Sequence, residues 1–569
     1  MHGGEAGMAD FGPLSLLPPL LAIILAIVTR QVLLALFAGI WVGAFMLALA
    51  GAAGPAGYAV SVFRATSQSL AWIIENATDS WNATILVFNF VIGAFVGILY
   101  VSGALHSVAA ALTRKVRSAR QASLLAYILG WTIFFDDYTN TVVVGNTVRP
   151  LTDSLRVSRE LLSYIVDSTA APVAGLLIIS TWIGYEVGLI RDSFTTLAEE
   201  AGKGVLPYAP DPANAMYAWI MSVPYRFYSI LALTLVLIVI LTRRHYGPML
   251  EAEHRAVKTG KVLRDGAQPL MPTETVLGEP SQKQAPPWIF PLSILALVAA
   301  TLVGMWLTGA DDPSKWWETD FATALMNADA ATALLWGSFA GYIAAAALIL
   351  ATGTLSLSRL MEYTVRGMYL MVLANTILLL AWSLKSAADA VGTADYIVST
   401  VAAAGVHPFL IPPLIFAASA FISFTTGTSW GTFAIMMPIA IPLAWKLAIQ
   451  HGLDPATTEL VTYAAIASVF AGGVFGDHCS PISDTTIMSS MFTGADHIDH
   501  VNTQIPYALT TAAVSLVLYT LFAAGITHPA ILLPIGVILL AALHRLLNIS
   551  YAKRRGLPPV VPNYVLQEV

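Results

Sequence analysis

The sequence predicts an all-α polytopic membrane protein whose two halves repeat in inverted orientation. Three observations predict it. The chain of 569 residues is 57% hydrophobic and 11% charged, where soluble domains carry about 25% charged residues. Apolar runs at 14–28, 32–50, 85–101, 227–241, 288–307 and 331–351 approach or reach the roughly 20 residues that cross a bilayer core. Polar, helix-breaking segments interrupt apolar stretches at corresponding places in both halves, the recognised pointer to a membrane binding site.

Each element follows in order. The first 13 residues lack the basic region of a cleaved signal peptide, so 14–28 is expected as a retained first span. Basic residues cluster at Arg114, Lys115, Arg117 and Arg120, at Arg149, Arg156 and Arg159, through 243–283, and at Arg545, Lys553, Arg554 and Arg555. The positive-inside rule makes these regions cytoplasmic. The segments 185–224 and 308–329 are mostly acidic and suit the outside.

Segment 121–148 is long enough to cross, yet both flanks are basic. It is therefore expected as a re-entrant hairpin opening to the cytoplasm, with its turn at 134–141 held at membrane depth. Such irregular backbone survives only where protein or a water-filled cavity covers it. Segment 409–447 exceeds one span, is broken by the polar run 423–432, and is bracketed by Pro412, Pro413, Pro438 and Pro442. It is expected as a second hairpin opening outward. The count is then eleven spans and two hairpins, with the N-terminus outside. The polar, proline-rich stretch 251–287 reads as a flexible cytoplasmic loop. Residues 202–213 read as an external loop, 551–569 as a solvated tail, and 112–121 as a helix at the cytoplasmic interface.

The expected organisation is N-terminal scaffold spans (1–105), a first inverted repeat with the inward hairpin (106–242), and a linker (243–287). Central spans (288–400), a second repeat with the outward hairpin and a broken helix (401–525), and a last span with its tail (526–569) complete it. In the repeat, Phe135-Asp136-Asp137-Tyr138-Thr139-Asn140 aligns with Phe424-Thr425-Thr426-Gly427-Thr428-Ser429. Each is followed by a span with a polar break, Asp167-Ser168-Thr169-Ala170-Ala171-Pro172 in one half and Asp477-His478-Cys479-Ser480-Pro481 in the other. Inverted repeats of this kind place substrate and coupling ions near the bilayer midplane.

Acidic groups at membrane depth are costly and mark ion pathways. Asp477, Asp484, Asp136 and Asp137 are the candidate cation- and proton-binding carboxylates. Desolvation penalises their charged form, so a proton or Na⁺ must neutralise them, and competition for one carboxylate is sufficient for exchange. Na⁺ prefers hard oxygen ligands; Asp477 and Asp484 supply them, supported by Thr139, Asn140, Ser480, Ser483, Thr485 and carbonyls freed by the break. Asp477 and Asp484 also suit the role of caps at broken-helix ends, which does not exclude ion binding. Asp167, Ser168 and His478 are secondary: a cap or a structural hydrogen bond explains them as well. Lys385 reads as a snorkelling side chain, and Glu186 as a span-end residue.

Other classes are excluded by what the chain lacks. There is no phosphate loop, no dinucleotide fingerprint and no zinc-type spacing. No catalytic residue, cofactor or nucleic-acid partner is expected, and the single cysteine, Cys479, rules out an internal disulfide.

The motif Phe475-Gly476-Asp477-His478-Cys479-Ser480-Pro481-Ile482-Ser483-Asp484-Thr485-Thr486 resembles that of the NhaC family of bacterial Na⁺/H⁺ antiporters. Phe135-Asp136-Asp137-Tyr138-Thr139-Asn140 and His500-Val501-Asn502-Thr503-Gln504-Ile505-Pro506-Tyr507 support it, as do Leu380-Ala381-Trp382 and Gly392-Thr393-Ala394. The resemblance implies a multi-pass protein of a bacterial or archaeal inner membrane, a homodimer with scaffold and transport regions, and an elevator-like movement. It places functional weight on Asp136, Asp137, Asp477 and Asp484. The expected activity is secondary antiport of Na⁺ or Li⁺ against H⁺. The alternative is a Na⁺- or H⁺-coupled carrier of an organic acid or amino acid, gripped by Thr425, Thr428 and Ser429 at the second hairpin tip together with Thr139 and Asn140.

Overall fold

The computed structural model describes residues 11–566 apart from 30, 53, 105–106, 108–114, 135–136, 178–179, 271–276, 278–280, 282–283, 311, 327, 370, 394–395 and 397–406. The described residues are helical apart from three isolated β-bridges. Nine helices among them are long and apolar enough to cross a membrane. A tenth span forms if 212–225 and Phe227–Thr242, bent by 44° at Arg226, count as one. Eleven spans were expected.

One difference lies at the start. The run 14–28 folds as a 3-10 turn, Gly12–Leu16, followed by α1 (Leu17–Thr29). At about 1.5 Å per residue, 13 residues of α-helix fall short of the roughly 30 Å core. α1 packs along α2 (Val32–Ala50), which packs in turn on α3 (Gly54–Thr78). α4 (Ser80–Val101) completes the first bundle and carries an Asp79 cap on the Asn82 N–H.

The first polar region follows. α5 (Ala119–Thr132) starts at a capping box formed by Ser118 and Gln121. After the break, α6 (Asp137–Ser154) turns back along α5, and α7 (Arg159–Thr169) packs on both. α8 (Thr181–Gly202) leads away, and α9 (Ala215–Ser222) and α10 (Phe227–Thr242) return.

The stretch expected as a flexible loop folds in part. α11 (Pro248–Thr259) starts on Pro248 and ends on Gly260 at φ 76°, where a side chain would be strained. Met249, Leu250 and Ala256 are buried, and Glu253 pairs with Arg243 at 2.9 Å while accepting from the Ser158 N–H at 2.8 Å. Buried apolar area and a paired charge order this segment despite its polar composition.

α12 (Ile289–Thr308) packs along α13 (Ala330–Ala351); α13 and the short amphipathic α14 (Leu357–Tyr369) pack on α4, and α15 (Val372–Ala390) packs on α2. The second polar region is α16 (Ile411–Thr426), α17 (Ser429–Gln450), α18 (Pro455–Asp477) and α19 (Asp484–Thr493), which pack as a group around α18. α16 and α17, expected as the arms of a hairpin, are each of spanning length when α16 is counted from Pro408. α20 (His497–Ala523) and α21 (Pro529–Arg555) close the bundle.

The C-terminal stretch expected as a solvated tail is folded back. Val561 is buried and its N–H donates to the Arg243 carbonyl at 2.9 Å; the Leu566 N–H reaches the Arg117 carbonyl at 2.9 Å. His254 and Asn548 donate to the Pro558 and Pro559 carbonyls at 2.9 and 2.7 Å. Several backbone groups of the tail thus find protein partners, while most of its residues stay exposed.

Two cross-packings set up the centre. α6 and α19 run side by side in one direction: Tyr138 meets Asp484 at their starts, and Gly145 faces Phe492 further along. α8 and α17 do the same: Trp182 meets Trp430 near the starts, and Glu200 pairs with Lys446 at 2.8 Å near the ends. Helix starts from both halves therefore converge on the middle of the bundle.

Candidate functional site

The centre is built on the break between α18 and α19. Pro481 cannot donate a backbone hydrogen bond, and Ser480 and Ser483 offer competing local ones, so 478–483 leaves the helix. Gly476 lets α16 approach: a methyl group there would meet the backbone of Ser423 and Phe424. Gly427, at φ 70°, ends α16 in the left-handed conformation and allows α17 to begin next to the break.

Asp477 is the last residue of α18 and only 1% exposed. Its carboxylate accepts from the hydroxyls of Ser483 at 2.6 Å and Ser429 at 3.1 Å. Asp484 opens α19, keeps some exposure, and accepts from the Tyr138 hydroxyl at 2.6 Å and the Thr485 N–H at 2.9 Å. The start of a helix stabilises negative charge there. Asp167, on α7, accepts from the Gln504 amide at 2.6 Å and the Thr486 hydroxyl at 3.1 Å. The one Thr486 hydroxyl hydrogen is shared with the Asp477 carbonyl, 3.0 Å away, which links Asp167 to the break. Asp137 opens α6 and is buried; it, Asp484 and Asp167 all act electrostatically on Asp477.

The remaining sequence candidates take several roles. Asp136 lies outside the described residues, and Thr139 lies on α6 with its side chain outside them. Asn140 clamps three backbone carbonyls, of Gly130, Ile133 and Thr169, at 2.7, 3.0 and 3.0 Å. It therefore shapes the first break. Ser480 donates to the Phe424 carbonyl at 2.7 Å, and Thr485 reaches Ser483 at 3.0 Å. Thr425 donates back to the Phe421 carbonyl of its own helix at 2.9 Å. Thr428 caps α17 on the Gly431 N–H, and of the three tip residues Ser429 alone reaches a carboxylate. His478 is held through both ring nitrogens, by Ser168 at 2.8 Å and Tyr228 at 2.7 Å. The freed carbonyls of His478 and Pro481 are taken by Gln504 and His497.

No lysine or arginine among the described residues forms an ion pair with Asp477, Asp484 or Asp167. Lys385 acts on Asp484 from beyond pairing distance. No group of three or more His, Cys, Asp or Glu among the described residues is arranged to hold a metal ion. Any Na⁺ bound here would depend on hydroxyl and carbonyl oxygens as well as carboxylate.

Sequence reasoning missed Tyr138 as a carboxylate partner, Thr486, Gln504, and a second buried network. There Arg226 pairs with Glu186 at 3.0 Å, both side chains 1% exposed. Arg226 also donates to the Gly175 carbonyl and lies 4.5 and 4.0 Å over the rings of Trp219 and Phe470, while Trp219 donates to Glu186. The signal for Gln504 was an amide at span depth inside a motif already singled out. For Arg226 it was an arginine between two apolar helices, far from every basic cluster.

A many-span helical bundle with buried carboxylates held by hydroxyl and amide donors at converging helix breaks has the character of a transporter. The chain belongs to the Na⁺/H⁺ antiporter family, whose model matches residues 173–524. A protein of Haemophilus influenzae described as uncharacterized is 32% identical over 506 residues, covering 89% of this chain and 90% of its own. A malate-2H⁺/Na⁺-lactate antiporter of Bacillus subtilis is 28% identical over 117 residues, 20% of this chain and 22% of its own. Among solved structures, the YdaH transporter of Alcanivorax borkumensis aligns over 90% of this chain and 99% of its own, at 13% identity and a TM-score of 0.34.

Proposed function

We propose that the protein exchanges Na⁺ or Li⁺ for H⁺ across a bacterial or archaeal cytoplasmic membrane by alternating access. One observation carries this reading: Asp477 and Asp484 are bonded by hydroxyl and N–H donors, and no lysine, arginine or histidine among the described residues pairs with either. A carboxylate taken from water without a partner must find a neutralising charge. A proton and Na⁺ are alternative answers, and a site that reorients only when neutralised by one of them performs exchange. Asp137 joins the same site from the first break. The Ser429 and Ser483 hydroxyls that bind Asp477 also offer lone pairs to a hard cation.

The matched pairings of α6 with α19 and α8 with α17 support the inverted-repeat reading. In it, α5–α6 and α16–α17 are the two hairpins, and α7 and α18 lead into the broken helices. The bundle of α1–α4 and α12–α15 suits a scaffold against which this core slides in an elevator movement, within a homodimer. The short match to the malate-2H⁺/Na⁺-lactate antiporter favours a second reading, coupled exchange of an organic acid.

Proteoliposomes separate the two. Adding Na⁺ alone should dissipate a preformed pH gradient, with the Na⁺ needed for half-maximal flux rising as pH falls and protons compete. Silence to Na⁺ together with flux that appears only when an organic acid is present would transfer the assignment to the second reading.

A further inference from the structure

The motif at 500–507 places two histidines in a hydrogen-bond network that no neutral arrangement satisfies. His497, Ser490, His500 and Gln504 are all buried. The Nε2 of His497 lies 2.8 Å from the Pro481 carbonyl, which only accepts, so this nitrogen carries a hydrogen. The Gln504 amide nitrogen faces two acceptors, Asp167 Oδ2 and the His478 carbonyl, so its oxygen is the atom 2.6 Å from His500 Nε2. That nitrogen must carry a hydrogen too.

In the neutral rings both Nδ1 atoms are then bare. Both rest on one oxygen, Ser490 Oγ, at 3.0 Å from His497 and 2.8 Å from His500. A hydroxyl has one hydrogen, and the Thr486 carbonyl, also 2.8 Å away, competes for it. At least one buried nitrogen is left facing an oxygen lone pair, a costly arrangement. One added proton resolves it: the protonated ring donates to Ser490, and Ser490 donates to the other ring.

We propose that His497 and His500, joined through Ser490, form a shared proton site that exchanges its proton with Asp167. His500 Nε2 lies 3.7 Å from Asp167 Oδ2, and Gln504 bonds both groups and holds them in register. When the gap closes and the Gln504 amide turns to present an N–H to the ring, the Nε2 proton passes to the Asp167 carboxylate. The Ser490 hydrogen moves to His500 Nδ1, and the Nδ1 hydrogen of His497 moves to Ser490. An imidazolium and a carboxylate become two neutral imidazoles and a carboxylic acid.

The surroundings suit a proton store near the basic face. Asp496 caps α20 beside His497, and Arg264 of the linker pairs with Asp496 at 3.0 Å and with Asp499. A part-open cleft of about 650 Å³, lined by Glu160, Arg255, Arg264, Asp499 and Thr503, flanks the first turns of α20. Arg159 reaches the Gly494 carbonyl at 3.1 Å, Arg149 lies against Gly494, and His478 faces His500 from the break. The part this site plays in transport rests on the antiport reading; the shared proton does not.

The test uses the full-length protein in liposomes with ¹⁵N-labelled histidine imidazoles. At neutral pH the wild type should show one imidazolium, both nitrogens protonated, that disappears in H497Q and in H500Q. Neutral rings at both positions across the pH range of transport would overturn the proposal. S490A keeps both rings but removes the bridge. It should lower Na⁺-driven proton flux about tenfold or more at saturating Na⁺, with the half-maximal Na⁺ concentration moving less than about twofold. Wild-type flux in S490A would also overturn the relay. An imidazolium in a protein that shows no Na⁺/H⁺ exchange would uphold the proton site and remove the antiport reading instead.

Discussion

Glu186 and Asp477 are both carboxylates buried to about 1% exposure, and they are neutralised in different ways. Glu186 has its own cation: Arg226 is 3.0 Å away, itself packed between two aromatic rings. Asp477 has two serine hydroxyls, which stabilise charge without cancelling it. Glu253 with Arg243, at 2.9 Å, repeats the first solution near the basic face. Asp484 repeats the second, and Asp167 stands between the two, bonded to Gln504 and Thr486 with His500 3.7 Å away. The difference teaches which buried acids hold the fold together and which are left for an external cation. A paired carboxylate has nothing to exchange, whereas a carboxylate bonded only to neutral donors changes partner whenever a proton or Na⁺ arrives.

That comparison breaks most directly at Asp477. D477N should reduce exchange below about 1% of wild type while the protein still assembles in the membrane; transport at wild-type rate in liposomes would erase the distinction. R226M tests the other side. Leaving Glu186 buried and unpaired should cost about 3–5 kcal/mol of stability, while the double variant E186L/R226M should recover most of it. Thermal unfolding in detergent reads the loss, and flux in the double variant shows whether the pair is needed for transport. Flux close to wild type is expected.

Y138F sharpens the comparison at Asp484. It removes one hydrogen bond to a charged group, worth about 1.5–3 kcal/mol, so half-maximal Na⁺ should shift roughly ten- to hundredfold. The smallest effect is expected for T425A. That hydroxyl bonds back to its own helix at 2.9 Å, and such bonds add little to helix stability. Flux within about twofold of wild type is expected; a large loss would return Thr425 to the substrate path and favour the organic-acid reading.

Much of this was legible in the chain. Asp477, Ser483 and Asp484 announced a site because carboxylates, hydroxyls and a proline interrupt a long apolar run, and that conflict is visible without coordinates. The break after Thr132 was legible from its basic flanks. Other features were not. The tip hydroxyls of Thr425 and Thr428 looked like ligands in sequence, yet one is bonded to its own helix and the other caps the next. Arg226 gave no sign of its partner, because Glu186 lies 40 residues away and the contact depends on how α8, α10 and α18 pack. Polar composition predicts a flexible linker and a solvated tail, but part of each is ordered by hydrogen bonds, with His254 of the linker and Asn548 of α21 on the Pro558 and Pro559 carbonyls.

Composition and the placement of polar breaks determined by themselves that this chain lies in a membrane and that its acidic residues at span depth matter. Hydrocarbon tolerates so few charges that each one is informative where it stands. Tertiary structure alone decided which acid received a guanidinium, which received only hydroxyls, and which histidines came to share one serine. Those choices depend on side chains from distant helices meeting within hydrogen-bond distance, and a one-dimensional pattern does not carry that distance.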